Sequence, residues 1–471
     1  MAFLQQLADN ADAPEQIAKY LEHQESRRNL PAVASLFERG YWDRLWVVQE
    51  VFNAQDITIY CGRHRLSWED CQTALQIFWN HKKELDSAFP KGISFGDDSD
   101  LSNGFAVSQV LLYSGPNSIP NITTITKLGE YPLLGVLRAC RRKLCSDPRD
   151  KVFGILGLLP ESIFAEFLVD YSLSVKEIYV DIVDFIIFTT ERVDVLCEAI
   201  HFPSYTGSAG LPTWCPDWSH ITDITALGHL FDFSASAKTK AECYFVDERR
   251  RQLNISAIHI DTIVTHGIAV GTLCTTSDYL VAFLHWRALL LNRIEQENKG
   301  KLKDIPENKQ DDGQIDDTTE HDTFWRTLCL GQVPAEHNNN WSTASYHVFA
   351  SLLRDRLPHL PLDDKLKRHL DTDVGIRSHA HRGFVHQHFK HMMGRCFCLT
   401  NGGLMGLGSG FMMTGDIVVV PLGCSTPILL RREGRQGYRF VGDVYIHGYM
   451  EGKAVEEWNA SFREKKDYVL V

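Results

Sequence analysis

Charged and amide side chains that could take part in chemistry are concentrated in residues 41–50, a stretch that also holds three aromatic rings. Its last residue, Glu50, is an acid, and a carboxylate held in a dry pocket can stabilise a cation that develops during a reaction. The structural alternative is equally concrete. Arg44 and Glu50 would then form a paired or solvent-exposed couple, and the rings of Trp42 and Trp46 would supply core burial. Residue types alone leave both interpretations open.

Three short elements are expected to position this stretch. At helical spacing Trp42, Trp46 and Gln49 fall on one face, which predicts a helix with an aromatic and polar seam. Residues 57–61 then alternate between apolar and polar types, as in a half-buried strand. Ser67 is a favourable N-cap for the helix that follows. The expected order is therefore helix, strand, helix.

A second group of charged residues opens another predicted helix. Asp147 has the side chain of a good N-cap, Pro148 suits the first helical position, and Asp150 lies in the first turn. Arg149 and Asp150 would form a buried ion pair or clasp the segment around Glu50; a plain capping motif is the alternative. The basic residues just before this group, within 138–143, are interpreted as the solvent-exposed end of a helix.

Two tryptophans and two prolines are crowded into residues 211–219. Trp214, Asp217 and Trp218 lie in this segment, where the prolines restrict the backbone and the large rings favour burial. The pattern indicates a rigid, extended segment that pins a surface between domains. A ligand pocket built on the rings is the alternative.

The last part of the chain is predicted to be rich in β-strands. Residues 242–268 alternate in polarity, and residues 395–471 contain short apolar runs separated by glycine turns, among them 438–441 and 444–447. Such runs favour a small antiparallel barrel or sandwich. Residues 296–322 are dominated by charged and polar types with little to bury, so they are expected to form a flexible insertion.

Bulk composition excludes some classes of function. The 471 residues are 44% hydrophobic and 23% charged, which is ordinary for a soluble globular protein of two or three domains. A net charge of −12 argues against a nucleic-acid-binding face, because neutralising phosphates needs clustered Lys and Arg. No apolar run is long and uncharged enough to predict a membrane span.

Cysteine and histidine usage point to the cytoplasm and to no metal. The chain has twelve cysteines with no C-x-x-C pair, and its first residues do not form a secretory signal, so reduced thiols in the cytoplasm are expected. The histidines within 369–391 lack an H-E-x-x-H motif and are interpreted as a partly exposed helix face. No metal and no cofactor are predicted.

Several of these segments resemble the fungal heterokaryon-incompatibility (HET) domain and the regions that follow it. The family signature R-x-W-x-x-Q-E stands here as Arg44, Trp46, Gln49 and Glu50. Residues 147–158 are similar to the family segment D-P-R-D-x-x-[FY]-x-[IL]-L-G-L, and residues 211–219 to L-P-S-W-x-P-D-W-S. The tail resembles the family pattern Y-x-x-V-G-D-x-Y-x-H-G. The two blocks that normally open a HET domain are absent.

This resemblance implies a fold class of α/β to α+β. The implied parts are a truncated HET core of TIR-like α/β type, a helical middle and a small C-terminal antiparallel β barrel or sandwich. Four regions are expected: a C-terminal part of a HET domain (1–86), a helical region packed on it (87–241), a mixed α/β region (242–394) and a β-rich module (395–471). The chain is expected to enter the domain midway, which leaves open whether Met1 is the true start.

The resemblance also implies a function. HET proteins are implicated in fungal self/non-self recognition, or allorecognition, in which fusion of incompatible cells triggers programmed cell death. A role through protein partners, including self-association, is therefore expected. Distant TIR relatives cleave NAD, which implies a NAD glycohydrolase acting through Glu50 as an alternative. The third possibility is an inactive structural remnant.

Overall fold

The computed structural model describes residues 1–23, 26–88, 107–128, 131–202, 209–271, 276–303, 318–335, 338–371, 391–435 and 437–471. The chain divides into two compact units, unit 1 (Met1–Val175) and unit 2 (Lys176–Val471). This division falls inside the expected region 87–241, and the four-region division stays a prediction.

Unit 1 is built mainly from helices. They are α1 (Ala2–Asp9), α2 (Pro14–Glu22), α3 (Ser26–Phe37), α4 (Leu45–Asn53), α5 (Trp68–Asn80), α6 (Lys82–Ala88), α7 (Val107–Tyr113), α8 (Ile122–Leu128), α9 (Pro132–Cys140), α10 (Asp150–Leu156) and α11 (Glu161–Phe164), with a 3-10 turn at Gly115–Ser118. Apolar side chains of α1, α2, α3, α5, α6 and α7 form one buried core.

One hairpin interrupts these helices. Strands β1 (Thr58–Cys61) and β2 (His64–Ser67) pair antiparallel across a turn in which Gly62 has a φ of +60°, a conformation that glycine adopts without strain. Ser67 then accepts a hydrogen bond from the backbone N of Asp70 and caps α5, as predicted. This hairpin is the sheet that the described part of unit 1 contains, and the predicted mixed fold class is confirmed for the chain in its α+β form.

Unit 2 combines helices with a larger sheet. Its helices are α12 (Val175–Thr190, which starts at the last residue of unit 1), α13 (Leu227–Leu230), α14 (Thr276–Lys303), α15 (Thr318–Leu328), α16 (Trp341–Arg356), α17 (Asp364–Asp371) and α18 (Lys453–Asn459), with a 3-10 turn at Asp194–Glu198. Its strands are β3 (Cys243–Phe245), β4 (Leu253–His266), β5 (Arg395–Thr400), β6 (Met405–Ser409), β7 (Ile417–Pro421), β8 (Ile428–Glu433), β9 (Gly437–Ile446) and β10 (Lys465–Leu470).

Six of these strands close into a barrel. The hydrogen-bonded order β4-β5-β6-β9-β8-β7 returns to β4, and every pair in the ring is antiparallel. Strand β10 adds to β4 and to the start of β9 outside this ring. Closure leaves the six strands without a free edge, which suits a sheet of short, apolar strands.

Strand β4 makes this closure possible because it is long and bent. It runs for 14 residues and pairs with β7 over 257–262 and with β5 over 263–266. Register shifts lie between His259 and Asp261 and between Ile263 and Thr265, where extra residues increase the local bend. The C-terminal barrel therefore depends on a strand from the expected region 242–394.

Two expectations for unit 2 are corrected. The runs 438–441 and 444–447 are one strand, β9, which passes through Gly442 opposite an irregularity in the register with β8. Within the expected insertion, residues 296–303 continue α14 and residues 318–322 begin α15, because both flanks carry an apolar face that packs on the core. The residues between them lie outside the described part.

A buried charged pair joins two barrel strands of unit 2 on the side covered by the segment before β3. Arg395 Nη1 is 2.7 Å from Asp443 Oδ1, and the two side chains are 2% and 7% exposed. The same guanidinium donates to the carbonyl of Thr225, and Asp443 accepts a hydrogen bond from the backbone N of Leu227. This pair ties the segment before β3 to the barrel wall.

The described residues contain neither a membrane-spanning helix nor a disulfide. None of the described helices is both long enough and apolar enough to cross a membrane. The cysteines in the described ranges are all free thiols. The histidines at 379, 381, 386 and 388 lie outside the described residues.

Candidate functional site

The predicted signature helix is α4, and main-chain hydrogen bonds to a distant segment fix its first turn. The backbone N of Leu45 donates to the carbonyl of Leu144 at 2.8 Å, and the backbone N of Leu144 donates to the carbonyl of Asp43 at 2.6 Å. Trp42 lies in the turn before the helix, where its buried ring donates from Nε1 to the carbonyl of Leu36 at 3.0 Å. Helix α4 therefore begins at Leu45, the residue whose backbone N bonds to Leu144.

Two buried lysines hold the corner beside this turn. Lys143 Nζ donates to the carbonyl of Trp42 at 2.6 Å and to the hydroxyl of Ser118 at 2.9 Å. Lys151 Nζ donates to the carbonyls of Arg141, at 2.7 Å, and of Lys143. Burial lowers the pKa of Lys143. The expected solvent exposure of this basic stretch is wrong for Arg141 and Lys143, because buried carbonyl groups in the corner require donors.

Gln49 of the signature connects α4 to α10. Its Nε2 donates to the carbonyl of Gly154 at 2.7 Å. A Cβ atom on Gly154 would lie 2.9 Å from Leu45 Cδ2, and one on Gly157 would lie 3.3 Å from Gln49 Nε2. The two glycines therefore let the helices approach closely enough for this hydrogen bond to form.

The charged residues at the start of α10 make different hydrogen bonds from those predicted. Helix α10 begins at Asp150, and Asp147 instead accepts hydrogen bonds from Arg149, at 2.9 Å from its backbone N and 2.8 Å from its guanidinium. These bonds lower the pKa of Asp147. Tyr171 donates to Asp150 at 2.6 Å, which raises the pKa of Tyr171 to about 12.

The expected N-cap role of Asp147, the helical position of Pro148 and the buried ion pair are corrected accordingly. Arg149 and Asp147 are 28% and 31% exposed, and Arg149 also donates to the carbonyl of Tyr171. A turn closed by the Asp147 carboxylate precedes the helix, because the Arg149 backbone N bonds to the side chain. The charged group therefore holds the loop at 170–173 and does not clasp Glu50.

Glu50 itself lies on the surface of unit 1. Tyr41 donates to Glu50 Oε2 at 3.1 Å, and burial together with this bond raises the pKa of Tyr41. Arg44 is also exposed, and Trp46 keeps 37% of its surface exposed, so its predicted place in the core is only partly realised. A cleft lies between α4, α5 and the segment 115–123; Glu50 is not among its described lining residues, and its catalytic role stays a prediction.

The tryptophan segment 211–219 lies in the interior of unit 2. Trp214 and Trp218 are 0% and 1% exposed, and Trp214 Nε1 donates to the carbonyl of Arg251 at 3.4 Å. Asp217 is buried and accepts hydrogen bonds from the backbone N and hydroxyl of Ser219. These residues join the expected regions 87–241 and 242–394 within one compact unit. Because packing covers both rings, they offer no face to a ligand.

A cleft of about 610 Å³ opens between α4, α5 and the segment 115–123. Its floor is apolar, since Val48, Leu75, Pro116 and Ile122 are buried. Val48 belongs to the signature helix and lies on the face opposite Trp46 and Glu50. The signature therefore presents one face to α10 and another to this cleft.

The rim of the cleft carries four carboxamide side chains. They are Gln72 and Gln76 on α5 and Asn117 and Asn121 on the facing segment. Asn117 Nδ2 donates to the carbonyl of Leu111 at 2.9 Å, and Asn121 Oδ1 accepts from the backbone N of Thr124 at 3.1 Å, as a cap for α8. Among the residues that the structure describes, none of those lining the cleft has a charged side chain. The cleft thus offers uncharged hydrogen-bonding groups above an apolar floor.

Partly exposed aromatic rings lie along the cleft and beside it. Phe52 and Trp79 line it and are 38% and 40% exposed. Tyr113, 49% exposed, packs edge-on against Trp79 with ring centroids 5.2 Å apart, and Lys82 Nζ lies 5.9 and 5.8 Å from the two centroids. A cluster of exposed rings beside a cleft is typical of an interaction surface.

Sequence reasoning missed this cleft. Its walls come from segments that are far apart in the chain, so no single motif contains them. One local signal was present: Gln72 and Gln76 are four residues apart, and they lie on the face of α5 opposite its buried residues. An exposed pair of amides at that spacing is consistent with a groove wall but does not identify one.

Comparison with known proteins places the chain beside one group of fungal proteins. Residues 312–471 match the family model described as the Het-6 β-barrel domain. The chain is 23% identical over 480 aligned positions to heterokaryon incompatibility protein 6, OR allele, of Neurospora crassa, and the alignment covers 92% of this chain and 66% of that protein. It therefore spans just under two thirds of the length of this curated relative. No solved structure matches the chain. The predicted resemblance to fungal heterokaryon-incompatibility proteins is confirmed.

Proposed function

We propose that this relative of fungal heterokaryon-incompatibility proteins acts in allorecognition in the fungal cytoplasm. In this proposal it contacts protein partners, or further copies of itself, and the contact triggers programmed cell death. Support comes from the kinship along 92% of the chain to a protein named for heterokaryon incompatibility. The alignment covers 66% of that relative, so the proposal concerns only what this chain contributes.

The observation that carries the contact role is the aromatic edge of the cleft in unit 1. Phe52, Trp79 and Tyr113 remain between 38% and 49% exposed although unit 1 has a well-buried core. Exposed rings of this kind cost little conformational entropy on binding and supply large contact areas. Their position next to the signature helix supports a role for the signature in presenting a binding surface.

The proposal is tested by forced heterokaryon growth. The full chain is expressed from an inducible promoter in a filamentous fungus, and the strain is fused with isogenic and with unrelated strains. Uptake of a vital dye by the fusion cells is then counted. Wild-type protein should increase cell death in at least one pairing.

A double substitution, Phe52→Ser with Trp79→Ser, should reduce that death to the level of an empty vector at equal protein abundance. Phe188→Ser is the matched control, since Phe188 is 82% exposed in unit 2 and lies outside the cleft. Unchanged death in the double variant would remove the cleft from the proposal. No death in any pairing with stable wild-type protein would overturn the proposed function and favour a structural remnant.

A further inference from the structure

We infer that the cleft between α4, α5 and the segment 115–123 binds an extended, uncharged peptide segment of a partner protein. The inference rests on the proposed function, because it names the chemistry of the partner that the same cleft would contact. It is carried by the four rim amides, the apolar floor and the uncharged side chains of all the lining residues that the structure describes.

The rim amides fit the needs of a peptide backbone. Each extended residue brings one N–H donor and one C=O acceptor that must be paired when water is removed. A carboxamide supplies both a donor and an acceptor. A helical ligand would satisfy its own backbone groups and would leave the rim amides without partners. The amides therefore favour an extended ligand.

The spacing of two rim amides agrees with this ligand. Gln72 and Gln76 are one helical turn apart on α5, a rise of roughly 5.4–6 Å. Two residues of an extended chain advance by roughly 6.6 Å, and that is the repeat at which backbone groups on one side recur. The two glutamines can therefore reach successive backbone groups on the same side of one extended segment.

The facing wall is already oriented. The bond from Asn117 Nδ2 to the carbonyl of Leu111 leaves Asn117 Oδ1 as an acceptor, and the bond to Asn121 Oδ1 leaves Asn121 Nδ2 as a donor. On α5, Gln76 Nε2 donates to the exposed Asn80, a contact that is readily exchanged. Side chains held in place before binding lose less entropy when the ligand arrives.

The floor and the edge determine what the ligand side chains are. Alternate side chains of an extended segment point to opposite sides, so every second one would face the apolar floor at Val48, Leu75 and Ile122. Phe52 and Trp79 would contact the segment through their exposed faces. A charged residue entering this cleft would lose its hydration without gaining a counter-charge, which is unfavourable. Apolar or uncharged residues at alternate positions are therefore expected.

The test uses the purified full chain and a display library of random eight-residue peptides. Peptides bound by the wild-type chain are enriched without counter-selection, and the enriched sequences are synthesised with a fluorescein label. Their affinities are measured by fluorescence anisotropy. A second set carries N-methyl groups on alternate backbone amides, which removes donors without changing the side chains.

Enriched peptides should be uncharged, with apolar residues at alternate positions. Their binding should weaken about tenfold or more in the double variant Gln72→Ala with Gln76→Ala, in Gln72→Glu and on N-methylation of one alternating set. The control Gln55→Ala, an exposed glutamine outside the cleft, should bind as wild type does. No enrichment, enrichment of charged or helix-patterned sequences, or binding that ignores Gln72 and N-methylation would each overturn the inference.

These outcomes are separate from those of the proposed function. Cell death in fused strains without peptide enrichment would keep the allorecognition role and reject the peptide as its ligand. Peptide binding without cell death would keep the binding site and reject the proposed function.

Discussion

Units 1 and 2 stabilise their buried polar groups in different ways. In unit 2 the guanidinium of Arg395 is paired with the carboxylate of Asp443 beneath the segment before β3, so both full charges are compensated. In unit 1 the ammonium groups of Lys143 and Lys151 donate to main-chain carbonyls of the turn before α4 and of the segment between α9 and α10. The buried charged pair of unit 2 thus stabilises a closed sheet. The buried lysines of unit 1 stabilise irregular connections around the signature helix.

The surfaces of the two units differ in a related way. The barrel of unit 2 closes its sheet and buries the tryptophans of the segment 211–219. Unit 1 retains an open cleft with Phe52 and Trp79 at its edge. We therefore expect the barrel to serve as a stable scaffold and unit 1 to carry the proposed binding surface. Four substitutions test it, beginning with the one of largest expected effect.

Arg395→Ala should lower the free energy of unfolding by about 3–5 kcal/mol, because it leaves the carboxylate of Asp443 buried without a counter-charge. Urea-induced unfolding of the full chain measures this loss. Arg439→Ala is the matched control, since its pair with Glu433 is exposed (38% and 47%) and should contribute less than about 1 kcal/mol. Similar losses in both variants would contradict the central place of the buried pair.

Lys143→Met should cost about 1–3 kcal/mol, because it keeps the aliphatic part of the side chain but leaves the carbonyl of Trp42 without a donor. Hydrogen exchange should then rise at the start of α4 and in the segment around Ser118. Lys127→Met, at an exposed position of α8, serves as the control and should change neither quantity. An equally stable Lys143 variant would show that the lysine corner is dispensable.

His201→Gln tests a pH effect in unit 2. Burial lowers the pKa of His201, whose Nε2 bonds to the carbonyl of Thr213 at 2.8 Å. As the pH falls through about 6.5, the unfolded chain gains a proton that the folded chain resists. Stability is therefore lost as the pH falls, until the lowered pKa is reached, with a slope of at most about 1.4 kcal/mol per pH unit.

Glutamine can donate the same hydrogen bond but does not titrate. The variant should show a shallower loss of stability between pH 7 and pH 5 in urea unfolding, while His359→Gln at an exposed site should follow the wild-type slope. A steeper or unchanged slope in His201→Gln would assign the acid sensitivity of unit 2 to other groups.

Glu50→Gln has the smallest expected effect. The side chain is exposed and its partner is the hydroxyl of Tyr41, so the free energy of unfolding should change by less than about 0.5 kcal/mol. Incubating wild type and variant with NAD and following nicotinamide release tests the catalytic prediction. Release by the wild type that disappears in the variant would make Glu50 catalytic and would give unit 1 a chemical role beyond contact.

The sequence by itself determined the local elements of this protein. Ser67 caps α5 because a serine hydroxyl can bond to the backbone of the first turn, and that depends only on neighbouring residues. The alternation of residues 242–268 and the C-terminal apolar runs likewise predicted strands, and β4 and β7 lie within them. Spacing alone also predicted that Gln49 lies on the same helix face as Trp42 and Trp46.

Only the tertiary structure decided which of these polar residues would be paired, buried or exposed. Lys143 is buried because a carbonyl from residue 42 needs a donor, and Glu50 stays outside because α4 turns a different face to its neighbours. Barrel closure through β4 and the cleft at 115–123 both join segments that are distant in the chain. Spacing within a segment fixes its period, but long-range packing fixes the partner of each face.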